Sequence, residues 1–244
     1  DQARVMRDLE LPLSQVLADM QLAGVRVDAD ALSRLSTEFE QRKAVIEAEI
    51  FALAGRTFNL ASPKQLGEVL FDELKLPIQK RTKTGYSTDA EVLERLAPKH
   101  PIAEKILRQR ELAKLINTYT EVLRAAIHPR TGRVHCTFQQ TASASGRLIT
   151  TEPDLQRTPI RSEDGKRIRA AFLPREGWVM VSADWSQIEL RLLAHLSADP
   201  ALMAAFRDEV DVHRRTASEI FRCTPEEVTR AQRNVGKTVN FATI

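Results

Sequence analysis

Along the first half of the chain, apolar residues recur at the three- and four-residue spacing of amphipathic helices, with polar residues marking where those helices start and stop. Leu11 to Leu22 carries one such pattern. After Gly24, VRVDADAL reads as a short extended piece leading into a helix capped by Asp28 or Asp30. A long helix is predicted from Ala31 to Ala54, with Glu38, Arg42, Lys43 and Glu47 outside and Gly55 at the C′ position that ends helices. Ser62, Pro63 and Gln65 supply the cap, first-turn proline and reciprocal capping group of the next helix, whose core side is Leu66, Val69, Leu70 and Leu74. Thr88 with Glu91 predicts a short helix, and residues 104–126 a second long one.

The texture changes after Pro129. TGRVHCTFQQT has a Thr-Gly turn and β-forming residues, and a small-residue loop follows that carries Arg147, Arg157 and Arg161. Arg169 to Leu173 and Trp178 to Ala183, separated by PREG, predict a β-hairpin that delivers Asp184 at a strand end. Ser186 and Glu189 form a capping-box signature for a helix to about Leu196. A turn at Asp199 and Pro200, a helix from about Asp211, and capping signatures at Thr224/Glu227 and Thr229/Gln232 complete the pattern.

At 244 residues the chain can hold one large domain or two modest ones with a substantial core. Its apolar runs are too short to span a bilayer, and the charged start DQARVMRDLE is unlike a signal peptide. Cys136 and Cys223 lie far apart with no Cys or His at metal spacing, so neither a zinc site nor a disulfide framework is suggested, a composition that suits a reducing, cytoplasmic setting. The net charge of +3 is unevenly spread: residues 1–74 hold thirteen acids and eight bases, a balance of −5, so the rest carries +8. That is the footprint of a polyanion-binding surface, or of a basic surface that is simply solvated.

Three places carry candidate chemistry. Asp184, aimed outward from a strand end, is either a metal ligand or a helix cap. The polar stretch PIQKRTKTGYSTDA, with Lys80, Arg81 and Lys83, is either a phosphate-contacting tip or a solvated turn. In the last segment Gly236, Lys237 and Thr238 suggest a phosphate loop, but Ala231 stands where that pattern needs glycine and no strand precedes it. As a helix, the segment puts Arg233, Lys237 and Phe241 on one face. Two cations and a ring there suit a triphosphate and a base, unless Phe241 turns into the core.

Together these pieces resemble family A DNA polymerases, the bacterial DNA polymerase I group. DWSQIELR is similar to that family's first palm motif, QRNVGKTVNF to its fingers helix, SGRLITTEPDLQRTPIR to its primer-template loop, and SPKQLGEVLF with TKTGYSTDAEVL to its thumb. The resemblance implies an α+β fold: a mainly helical thumb with a lead-in from the palm base (1–128), part of an antiparallel-sheet palm (129–197), and the first fingers helices (198–244). It implies template-directed DNA synthesis, in replication and repair, from dNTP onto a primer 3′ hydroxyl by a two-metal mechanism with two Mg²⁺. Asp184 and the Trp185 carbonyl would be metal ligands. Glu189, His213, Arg233, Lys237 and Phe241 would hold the dNTP, with Glu189 excluding a 2′ hydroxyl and Arg233 and Lys237 acting on the phosphates during catalysis. Asn59, Ser62, Lys64, Lys83, Arg147 and Gln156 would contact DNA, Arg147 in the minor groove near the primer end.

Trp185, Asp154, Arg157 and Ala242 depart from the family pattern, and Asp154 puts one DNA contact in doubt. The chain ends before the family's Tyr-Gly and without a His-Asp-Glu motif for the second metal carboxylate. It is therefore expected to be the N-terminal part of a polymerase domain, inactive alone, whose remainder lies on a second polypeptide or is missing through truncation or an incomplete sequence. The alternative is a non-catalytic DNA-binding part of a split or truncated polymerase. Expected partners are primer-template DNA and dNTP, with no membrane, in a bacterial-type cytoplasm close to the nucleoid.

Overall fold

The computed structural model describes residues 1–83, 85–160 and 162–242. Thr84, Arg161, Thr243 and Ile244 lie outside the described residues, so one of the three loop arginines is not placed. The chain divides into two compact units, Asp1–Met180 and Val181–Ile244, and the fold is α+β.

Two long helices build the first unit. Asp28 caps α2 (Ala29–Ala54), accepting from the amide of Ala31 at 2.9 Å, and Gly55 ends it with a left-handed φ of 73°. The predicted helix over 104–126 starts earlier, at Pro101: α5 (Pro101–Lys114) continues through Leu115–Thr120 and Glu121–Ala125. The two run antiparallel, since Glu121 meets Ser36 near the start of α2 while Lys105 meets Glu49 near its end. Between them lie two apolar clusters. One packs Leu32, Leu35 and Phe39 against Leu112, Ile116 and Leu123. The other packs Ile50 and Ile106 against α3 (Pro63–Gly67, extended through Glu68–Glu73) and α4 (Ala90–Leu96). The cap of α4 is Asp89, not Thr88; Thr88 instead accepts from Arg110. Leu11–Ala23, α1, is helical as expected, but its apolar residues are spread around the helix and only Leu17 is buried.

Among the described residues three short antiparallel sheets complete this unit. β1 (Val25–Val27) lies between β4 (Arg133–Val134) and β7 (Phe172–Leu173), with Val25 opposite Val134 and Val27 opposite Phe172. β2 (Arg81–Thr82) pairs with β3 (Gly85–Tyr86), and β5 (Thr137–Gln139) with β6 (Ile149–Thr151). The expected hairpin of Arg169–Leu173 with Trp178–Ala183 is not formed. Arg169 and Ala170 close helix α6 (Glu163–Ala170), and β7 gives its edge to β1. The PREG turn does form, with the Trp178 amide on the Arg175 carbonyl, but among the described residues the arm beyond it pairs with no strand. Without a hydrogen-bonded neighbour an isolated strand has nothing to hold it, and Val179 and Val181 are each 81% exposed.

A charged cluster ties α2, α5 and α6 together. Arg42 forks onto Asp164 at 2.8 and 2.9 Å, Arg108 donates to the same carboxylate, and Arg167 forks onto Glu38. Arg42 above all holds the Asp164 carboxyl below its ordinary pKa, against the opposing effect of burial and with help from Arg108. Because the folded pKa is depressed, this stabilisation is complete above the unfolded carboxyl pKa of about 3.9 and is lost as pH falls through the folded value. Asp164→Ala should cost about 2 kcal/mol, less than a fully buried pair because the arginines are a third exposed. A urea midpoint shift at neutral pH that vanishes in acid is the expected reading; a shift that persists in acid would assign the loss to packing.

The second unit is helical: α7 (Ile188–Ser197), α8 (Pro200–Arg207), α9 (Val212–Phe221) and α10 (Arg230–Ala242). Asp199 and Asp211 cap α8 and α9 through their side chains, and Thr229 and Gln232 cap α10 reciprocally. The Thr224/Glu227 pair bonds as expected but closes a turn, with no helix behind it. Leu190 packs against Ala205 and Val212. No helix among the described residues is long and apolar enough to cross a membrane.

Candidate functional site

Asp184 and Trp185 are exposed in the irregular segment ahead of α7. The helix does not begin on the expected capping box: its N-cap is Gln187, at φ 55°, whose side chain makes no cap bond. Left-handed backbone at Gln187 turns the chain between Ser186 and the helix, so the Ser186 hydroxyl does not serve as cap. Glu189 is partly buried in the first turn. Arg191 braces the entry, donating to the Ser186 carbonyl at 3.0 Å and lying 4.7 Å over the Phe206 ring. One exposed carboxylate and one carbonyl are a partial donor set for Mg²⁺, which demands six ligands. Among the described residues no group of three or more His, Cys, Asp or Glu could hold a metal. The residues present do not by themselves fit the metal pair.

The second constellation lies on α9 and α10. Arg233, Lys237 and Phe241 share one face of α10, and His213 of α9 joins them. Lys237 Nζ lies 5.8 Å from the Phe241 ring centre, and the His213 ring lies 5.6 Å from the same ring. Arg233 donates from Nε to Asp211 Oδ2 at 2.7 Å, while Oδ1 of Asp211 accepts from the amides of His213 and Arg214. Burial pushes the Asp211 carboxyl up, but Arg233 and the Arg214 amide outweigh it and the net shift is downward. Burial likewise lowers the His213 pKa, with Arg233 adding to the effect, so its imidazole is neutral at neutral pH.

The helices come this close because of Gly236. A Cβ built there would lie 2.3 Å from the His213 carbonyl oxygen and 2.9 Å from the Ala217 nitrogen. On sequence alone this glycine weakens a helix; in the structure it allows the contact that brings His213 to the cationic face. The segment is helical from Arg230 to Ala242, as expected from the failure of the phosphate-loop pattern.

In the first unit the expected DNA-contacting residues fall in two places. Asn59, Ser62 and Lys64 gather at the start of α3. Asn59 Oδ1 accepts from the Ala61 amide, Ser62 Oγ from the Gln65 amide, and Gln65 reaches the Asn59 amide instead of that of Ser62. Lys64 is exposed and 4.0 Å from Glu68. Ser62 and Lys64 line a groove of about 830 Å³ whose opposite side is Thr82, Gly85 and Tyr86 of the β2–β3 hairpin. Lys83 is exposed at the tip of that hairpin. Gly67 lets α3 approach the hairpin, since its Cβ would lie 3.3 Å from that of Tyr86. Asp89, exposed on the same groove, has its carboxyl pKa lowered to about 2, first by the Val92 amide, then by Ser87 and Lys80.

Arg147 and Gln156 flank β6. Arg147 is exposed directly after Gly146, whose φ is 73°. Gln156 spends its side chain on the loop itself, donating to the Leu148 carbonyl at 3.0 Å and accepting from the Thr150 amide at 3.1 Å. Asp154 accepts from the Thr150 hydroxyl and the Gln156 amide and pairs with Arg157 at 3.3 Å. Two departures from the family pattern thus neutralise one another, and the acid is turned into the loop. The roles of Asp211 and Arg110 escape sequence reading, because their partners lie 22 residues away.

The description of DNA polymerase family A matches residues 29–244. DNA polymerase I of Geobacillus stearothermophilus is 49% identical over 245 residues, covering all of this chain and 28% of that protein. The thermostable DNA polymerase I of Thermus thermophilus is 51% identical over 239 residues, 97% of this chain and 29% of that protein. Among solved structures, the POL domain of Pol1 from M. smegmatis in complex with DNA primer-template and dNTP is similar at a TM-score of 0.89 and 41% identity, covering 98% of this chain and 42% of that one. The chain thus spans less than a third of the length of these curated relatives.

Proposed function

Because the chain belongs to DNA polymerase family A, we propose that it supplies the thumb (1–128), the first part of the palm (129–197) and the first fingers helices (198–244) of a template-directed DNA polymerase. The observation that carries this reading is the convergence of Arg233, Lys237, Phe241 and His213 on one side of the α9–α10 pair. With Nε committed to Asp211, Arg233 offers its terminal N–H groups in a fixed fork to phosphate oxygens. Lys237 neutralises charge on the transferring and departing phosphates and is placed to protonate pyrophosphate. Phe241 packs against sugar and base, and Glu189 closes off the space of a 2′ hydroxyl.

Duplex DNA lies along Asn59, Ser62, Lys64 and Lys83, with Arg147 in the minor groove and Gln156 stiffening the loop that carries it. Contacts of this kind to phosphate and sugar are sequence-tolerant and salt-dependent. Asp184 and the Trp185 carbonyl would supply two of the oxygens that hold a pair of Mg²⁺ ions, a set that is incomplete among the described residues. Such ions, if bound there, would supply Lewis-acid activation and charge neutralisation for phosphoryl transfer.

The test is a chimera in which this chain replaces the matching segment of the G. stearothermophilus relative. It should extend primers, and Lys237→Ala should lower kcat/KM for dNTP by about 10²- to 10³-fold with primer-template affinity unchanged. A loss of duplex affinity of that size would move Lys237 from the nucleotide to the DNA surface. A chimera that binds duplex but cannot extend it would favour the non-catalytic alternative.

A further inference from the structure

Asn240 of α10 reaches back onto α9. Its Nδ2 lies 3.0 Å from Nδ1 of His213 and 3.4 Å from the Val212 carbonyl, and its Oδ1 lies 2.8 Å from the Thr216 hydroxyl. A carbonyl oxygen only accepts, so the NH₂ side of the amide faces Val212, and Oδ1 faces the Thr216 hydroxyl, which shares its one proton between Oδ1 and the Val212 carbonyl 3.0 Å away. Nδ1 of His213 consequently faces a donor and carries no proton, which leaves the ring proton on Nε2. His213 as a residue is only 3% exposed. Among the described residues the one sealed side-chain polar atom without a partner is Nε of Arg133, so Nε2 of His213 retains an opening.

We propose that Asn240 is a positioning residue that holds His213 as a neutral imidazole protonated on Nε2, so that α9 presents an uncharged N–H donor to a nucleotide phosphate beside Arg233 and Lys237. The ligand in this statement rests on the polymerase reading above; the tautomer rests on geometry alone. The charged groups around the ring agree with it. Arg233 and Lys237 on α10 oppose a second proton, as burial does, and the one acid, Asp211 at the start of α9, is already engaged by Arg233 and two amides. A neutral donor avoids the cost of placing a third cation in a buried cluster, and it stays a donor across the neutral range.

Long-range ¹H–¹⁵N spectra of the ¹⁵N-histidine-labelled chain read the tautomer without any nucleotide. For the wild-type chain the expected spectrum has an unprotonated Nδ1 and a protonated Nε2 for His213 at neutral pH. Asn240→Asp puts an acceptor in place of the donor, and is expected to move the proton to Nδ1 and raise the titration midpoint by about one pH unit. Thr216→Val keeps the amide but removes its anchor, and is expected to give a mixture of tautomers; dispersed amide spectra confirm folding of both variants. An Nδ1–H tautomer in the wild-type chain, or an Asn240→Asp spectrum identical to it, would overturn the assignment whatever the kinetics show. In the chimera Asn240→Asp should raise the dNTP KM by about tenfold. An inverted tautomer with an unchanged KM would leave the positioning role standing and remove His213 from the nucleotide site.

Discussion

Asp184→Ala is expected to abolish primer extension in the chimera while leaving both folding and duplex affinity nearly untouched. Asp184 is exposed in an irregular segment, its side chain caps nothing, and the helix behind it starts on Gln187. Removing such a side chain should change stability by no more than about 0.5 kcal/mol. Its role as a helix cap, one of the two readings its position in the sequence allowed, would have cost about 1 kcal/mol instead. If it ligates Mg²⁺, the loss is several kcal/mol of transition-state stabilisation, or about 10³-fold or more in rate. Unfolding cannot mimic that contrast. Gel-shift and single-turnover extension on the same preparation separate the outcomes: a variant that extends at a tenth of the wild-type rate or better would rule out the metal role.

What the sequence made legible follows from the range of the interaction that fixes each element. Asp28, Gly55, Ser62, Asp199, Asp211 and Thr229 end or start helices through bonds that span two or three residues, and each can be seen in a short window. β1, β4 and β7 are two or three residues long, too short for alternation to register, and their pairing joins distant parts of the chain. The apolar run at Trp178–Ala183 has the composition of a buried strand, yet composition cannot supply the neighbouring strand it needs. The Ser186/Glu189 signature failed for a different reason, since a single left-handed residue between cap and helix undoes a box that the residue types alone permit. In the site, the shared face of Arg233, Lys237 and Phe241 followed from helical period alone. The residues that orient this face, Asp211 and Asn240, became visible only once α9 was laid against α10, because the relevant partners are 22 to 28 residues apart.

Gly236 is where that packing is most exposed to a single substitution. In an isolated helix, Gly236→Ala would gain up to about 1 kcal/mol in propensity. Here the new methyl would lie 2.3 Å from the His213 carbonyl oxygen and 2.9 Å from the Ala217 nitrogen, both backbone atoms that cannot swing aside. Relief requires α9 and α10 to separate by roughly 1 Å, and overpacking of this kind costs about 3 kcal/mol, so the net expectation is destabilisation by about 2 kcal/mol. The same displacement would stretch the Arg233–Asp211 bond at 2.7 Å and the Asn240–His213 bond at 3.0 Å. Gly236→Ala should therefore lower the melting temperature of the chain and raise the dNTP KM of the chimera by about tenfold or more, because a misplacement near 1 Å is enough to spoil a positioned site. A variant as stable as wild type, with unchanged KM, would mean that α9 and α10 can separate freely, and that the glycine serves the flexibility of its own helix and not the contact with His213.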